Sequence, residues 1–73
     1  MELDPKKLEG RILAINEAVE RAGGQSALAR ICGVKPQSVH GWLLNGRVPP
    51  RRAKEIEYRL GIKREKLCPE IFD

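Results

Sequence analysis

Apolar residues recur at three- and four-residue steps along this chain, and glycine and proline interrupt them at short intervals. That pattern predicts a series of short helices, not strands. Leu8, Ile12, Ile15, Ala18, Val19 and Ala22 share one face of a first helix running from about Lys6. Asp4 before Pro5 is a start signal and Gly23-Gly24 a stop signal. A second helix covers Gln25 to Cys32, with Leu28, Ala29 and Cys32 facing inward. Ala29 is small enough to let another helix cross closely. Gly33-Val34-Lys35 is a turn in which Gly33 can take a positive φ, Val34 plugs the angle, and Pro36 opens the next helix. Lys35 is a poor N-cap, so that entry lacks the usual side-chain stabiliser.

The third helix, Pro36 to about Leu44, can be resolved by angle at roughly 100° per residue. Val39, Trp42 and Leu43 fall on the core side. The opposite face is centred between Gln37 and Gly41, flanked by Ser38 and His40, with Leu44 beyond. Asn45-Gly46 closes this helix. A fourth helix, about Pro50 to Leu60, turns Ala53, Ile56 and Leu60 inward, Gly61 caps it, and Ile62 folds back. Lys63 to Leu67 forms a last turn ended by Pro69, and Ile71 and Phe72 in the tail either pack on the domain or meet a partner. The expected fold is all-α, five short helices in a single domain over residues 1–73, with a helix-turn-helix at 25–44.

The chain has 73 residues, enough for one domain that buries only about 60% of its unfolded surface. Its two cysteines, Cys32 and Cys68, form no C-x-x-C pair and its one histidine is His40, which argues against a zinc cluster. Cys32 reads as a small core hydrophobe. No cofactor and no metal are expected. The charged start shows no secretory segment, and no apolar run nears the roughly 20 residues of a membrane span. A cytoplasmic protein without membrane contact is the expectation. A catalytic site is not: one histidine, no paired carboxylates and no phosphate-cradling loop leave no catalytic residue to name.

The net charge of +4 is unevenly spread. Residues 1–20 carry a balance of −2 and residues 55–73 one of −1. Between them, Arg21, Arg30, Lys35, Arg47, Arg51, Arg52 and Lys54 stand with no acidic residue, a balance of +7. Cations without carboxylates suit a polyanion, where each phosphate contact releases counterions; an ordinary solvated surface would look the same from charge alone. Arg51 and Arg52 occupy the first turn of the fourth helix, unfavourable for cations unless a phosphate binds there. Gly41 in mid-helix costs about 0.5–1 kcal/mol against alanine, so it either allows close approach of a ligand or is simply tolerated. The chain lacks the aromatic platform of single-strand RNA readers.

Gln25, Ala29, Gly33, Val34, Val39 and Trp42 match the helix-turn-helix of Cro/CI-type phage and prophage repressors. The run GGQSALARICGVKPQSVHGW, the following GRVPP and the ending REKLCPEIF resemble small Cro-like regulators of the YdaS type, known as antitoxins. The likeness spans Gly23 to Phe72 and implies a lambda-repressor-like domain. It implies that Gln25 clamps a backbone phosphate and that Gln37, Ser38 and Gly41 read bases. Pro36 stands where related repressors often carry a polar base contact, and its ring offers a thymine-methyl contact instead. His40 either adds a contact or is inert, while Lys35, Asn45, Arg47, Arg51 and Arg52 are expected to hold the phosphate backbone. The expected function is sequence-specific transcriptional repression by occupying a double-stranded operator. A homodimer is expected on half-sites about 34 Å apart, joined through Ile71 and Phe72 or the Leu67 turn. The alternative is an antitoxin that binds a partner toxin and regulates its own promoter.

Overall fold

Five helices account for the regular structure of residues 5–68, the part of the chain that the computed structural model describes: α1 (Pro5–Ala22), α2 (Gln25–Cys32), α3 (Pro36–Asn45), α4 (Pro50–Leu60) and α5 (Arg64–Leu67). No strand occurs among those residues. Asp4, Pro69, Ile71 and Phe72 lie outside them, as does the side chain of Leu8.

The helix ends follow the glycines and prolines. Gly33, at φ 69°, ends α2 in the left-handed conformation. The Val34 amide then donates back to the Ala29 carbonyl at 2.9 Å, which closes a Schellman-type stop. Val34 packs against the core, as its place in the turn requires. At Gly46, φ 66°, the amide donates to the Trp42 carbonyl at 2.7 Å, so α3 runs one residue further than expected and includes Asn45. Prolines Pro36 and Pro50 open α3 and α4, where a missing amide proton costs no helical bond.

The core is aliphatic with one indole. From α2 it takes Leu28, Ala29 and Cys32, from α3 Val39 and Trp42, and from α4 Ala53 and Ile56. Val48, Ile62, Leu67 and Cys68 complete it from the loops and α5. Burying a side chain such as Leu28 or Ile56 contributes about 1.5–3 kcal/mol. Leu43 and Leu60, expected inside, are only partly buried at its edge. Leu67 is fully buried. Its side chain is used by the core, while Glu65 and Lys66 of the same turn are exposed.

The inward stripe of α1 also differs from expectation. It runs through Arg11, Ala14, Ile15 and Ala18, while Ile12, Val19 and Ala22 lie at its margin. Arg11 is 1% exposed, and its Nη1 donates to the Gly46 carbonyl at 3.2 Å. A hydrophobic periodicity cannot register an arginine whose stem is apolar and whose head finds a carbonyl inside. The Cys68 thiol donates to the Val48 carbonyl at 2.7 Å. Arg11 and Cys68 thus tie α1 and the end of α5 to the loop that follows α3.

Candidate nucleic-acid interface

Two buried side chains, Val39 and Trp42, fix how α3 lies on the domain. They sit three residues apart on one face, and α3 packs most extensively on α2, where the small Ala29 is 1% exposed. With that face committed and Leu43 at the core edge, the remaining residues of α3 point outward. Pro36, Gln37, Ser38, His40, Leu44 and Asn45 are all exposed, and Gly41 is half-exposed. The structure therefore brings the five expected base-reading positions onto the free side of one helix.

Gly41 is not required by packing. A Cβ built there meets no atom within 4 Å, and its φ is not positive. Alanine would fit and favour the helix, so the fold does not demand the glycine. It leaves a notch in the outward face between Gln37 and Leu44.

The helix N-termini add a second feature. α2, α3 and α4 begin at Gly24, Lys35 and Pro49, and none of these supplies a side-chain cap hydrogen bond. No acidic residue stands in the first turn of any of the three. The Ser38 and Arg52 amides donate to the Lys35 and Pro49 carbonyls, both at 2.9 Å, and Pro36 and Pro50 have no amide proton. An anion, which the helix dipole favours at such ends, would meet the amides of Gln25, Ser26 and Ala27 in α2, Gln37 in α3 and Arg51 in α4. Gln25 is exposed at the first position of α2, Lys35 is exposed beside the start of α3, and Arg51 is exposed in the first turn of α4. Arg47 is exposed in the loop between α3 and α4.

Arg52 is placed differently from its neighbour. Its Nη1 donates to the Cys32 carbonyl at 2.7 Å, in a partly buried position at the C-terminal end of α2. A cation there satisfies a carbonyl that the helix leaves without a partner and complements the dipole. The placement of a second arginine in the first turn of α4 thus has a structural cause that the sequence did not reveal. Arg21 does the same at the other end of α4, donating to the Leu60 carbonyl at 2.8 Å while pairing with Glu17.

Burial shifts three groups of the domain interior. Burial pushes the Cys32 and Cys68 thiols above their ordinary value, opposed by Arg52 at Cys32 and by Arg11 at Cys68. Both cysteines are free and buried. Burial also lowers the Arg11 guanidinium from its usual range. Among the described residues no group of three or more His, Cys, Asp or Glu side chains is arranged to hold a metal ion. No helix among them is long and apolar enough to cross a membrane.

One residue behind this surface, the buried Arg11, was not expected from the sequence. Arg11 holds the Gly46 carbonyl just past the end of α3, and the small Ala14 and Ala18 on its own face were the available sign of room for it. Leu44 is 70% exposed on the outward face of α3, a place that the angular projection already contained.

Comparison with known proteins adds a family. A family model described as "Bacterial toxin YdaS" matches residues 15–73. A curated protein from Escherichia coli (strain K12), named "Putative transcriptional regulator YdaS", is 39% identical over 59 residues, which is 80% of this chain and 58% of that protein. The chain therefore spans a little over half the length of the curated relative that it matches. No solved structure matches it significantly.

Proposed function

The chain belongs to the YdaS family, and on that footing we propose that it is a sequence-specific, double-stranded-DNA-binding transcriptional regulator of Cro type. The observation that carries this reading is α3 itself. One face is fixed by Val39 and Trp42, and the other presents Gln37, Ser38 and His40 around an unobstructed Gly41. An α-helix of this kind enters the major groove, where an amide side chain such as Gln37 pairs bidentately with adenine. Pro36 adds an apolar edge at the helix start. Gln25, Lys35, Asn45, Arg47 and Arg51 hold phosphates on either side, which positions the helix without carrying sequence information. Arg52 contributes mainly by bracing α2 against α4. The name of the curated relative, a transcriptional regulator, supports the same class.

Repression follows from steric occupation of an operator. One helix reads few base pairs, so two copies bind half-sites about one helical turn apart. The experiment is selection of bound sites from random duplex DNA. A recovered consensus with two half-sites supports the reading; a pool with no enriched sequence rejects it.

The family description favours a second reading. It carries the word toxin, and on this second reading the chain is one member of a toxin–antitoxin pair that acts through a partner protein. The antitoxin side expected from sequence gains no support from that description. Expression of the chain alone separates the two sides: growth arrest relieved by a second protein marks a toxin, and unaffected growth does not.

A further inference from the structure

We propose that Leu44 is an apolar base reader that packs against the 5-methyl group of a thymine, about two to three base pairs from the base met by Gln37. The inference rests on α3 being the reading helix and extends it by one specificity-determining residue. Leu44 follows Gln37 by seven residues, which returns it to within about 20° of the same direction and about 10.5 Å further along the axis. For a helix lying along the major groove that rise spans about two to three base pairs. Gly41 stands between the two, and nothing lies within 4 Å of where its Cβ would be, so no side chain separates them. Leu44 is 70% exposed, while the adjoining Leu43 packs at the core edge and Trp42 is buried. The core therefore does not use Leu44.

The surroundings say what covers it. Lys35 and Arg47, both exposed, bracket α3 at its two ends, and α3 itself carries no acidic residue. A cationic frame with polar Gln37, Ser38 and His40 fits a phosphate-lined groove. A single leucine is also too little apolar surface for a protein partner, since a stable interface covers about 800 Å² on each side. Among the described residues the other large exposed apolar side chains, Leu13 and Tyr58, belong to α1 and α4. In the major groove, by contrast, the thymine methyl is a lone apolar feature of matching size.

The test uses the full chain and its selected DNA site, with each thymine replaced in turn by deoxyuridine, which removes only the methyl group. Wild type and Leu44→Ala are compared on every duplex, with thermal melting as a check on folding; an exposed side chain leaves the fold intact. One deoxyuridine, about two to three base pairs from the base that Gln37→Ala makes indifferent, should weaken wild type about four-fold, the effect of one buried methyl group. Leu44→Ala should bind the thymine duplex about as weakly and ignore that replacement. If Leu44→Ala retains every methyl sensitivity of the wild type, or loses equal affinity for all duplexes, the proposal is overturned while α3 remains a reading helix. A wild-type protein with no sequence preference overturns both.

Discussion

Arg51 and Arg52 are adjacent, identical in type and equally near the start of α4, yet the structure gives them different work. Arg52 donates to the Cys32 carbonyl at 2.7 Å from a partly buried position, whereas Arg51 is exposed. Replacing Arg52 with alanine removes a charge-assisted bond of about 1.5–3 kcal/mol; its favourable contact with the C-terminal dipole of α2 is offset by its unfavourable place in the first turn of α4, each about 0.3–1 kcal/mol. Solvent reaches the site and can substitute part of the lost bond, so the net loss should be about 1–2 kcal/mol. For a chain of this size each kcal/mol moves Tm by about 4–8 °C, and Arg52→Ala should melt about 5–15 °C below wild type. Arg51→Ala should melt within about 3 °C of wild type, as an exposed change of about 0.5 kcal/mol or less would give. In DNA binding the order reverses: Arg51→Ala should weaken all sequences alike and flatten the salt dependence by about one phosphate contact. Calorimetric melting of the two variants, with gel shifts at three salt concentrations, measures both effects. Equal melting temperatures for the two variants would refute the division of roles, and so would a salt slope unchanged in Arg51→Ala.

Three further outcomes follow from the packing. Ala29→Leu should force α2 and α3 apart at their crossing and cost about 1–3 kcal/mol, read as a lower urea midpoint at unchanged slope. Gly41→Ala should raise stability by about 0.5–1 kcal/mol, because its methyl meets open space, and should lower DNA affinity where the groove approaches closely; unchanged affinity would show the glycine to be merely tolerated. The thiols of Cys32 and Cys68 titrate higher in the folded chain than in the unfolded one, through burial. Their contribution is therefore fully present below the unfolded thiol pKa of about 8.5 and is lost as pH rises through the folded value. Urea midpoints should fall between pH 8 and pH 10 in wild type and fall less in Cys32→Ala/Cys68→Ala.

Most of the fold was legible because its boundaries are set by local chemistry. Pro36 and Pro50 start helices, and Gly33, Gly46 and Gly61 end them, each for a backbone reason that needs no tertiary knowledge. The inward faces of α2 and α4 followed from periodicity in the same way. What the pattern missed depends on partners distant in sequence. Arg11 is buried with a hydrogen bond to the Gly46 carbonyl, thirty-five residues on. Val48 is buried in a loop, where its carbonyl takes a hydrogen bond from Cys68, twenty residues on. Arg52 read as a phosphate cation because its acceptor, the Cys32 carbonyl, belongs to another helix. On the candidate interface, the outward residues of α3 were legible by angle, Leu44 among them; what the angle did not give was how far Leu44 stands free of the core.

The central claim is that Gln37, on the free face of α3, reads a base. The most direct measurement compares wild type and Gln37→Ala on the selected site and on unrelated duplex DNA in the same salt. Affinity for the selected site should fall about 5- to 150-fold, the loss of a bidentate pair worth about 1–3 kcal/mol, while binding to unrelated DNA stays within about two-fold. Equal losses on both duplexes, or no loss on either, would contradict the account.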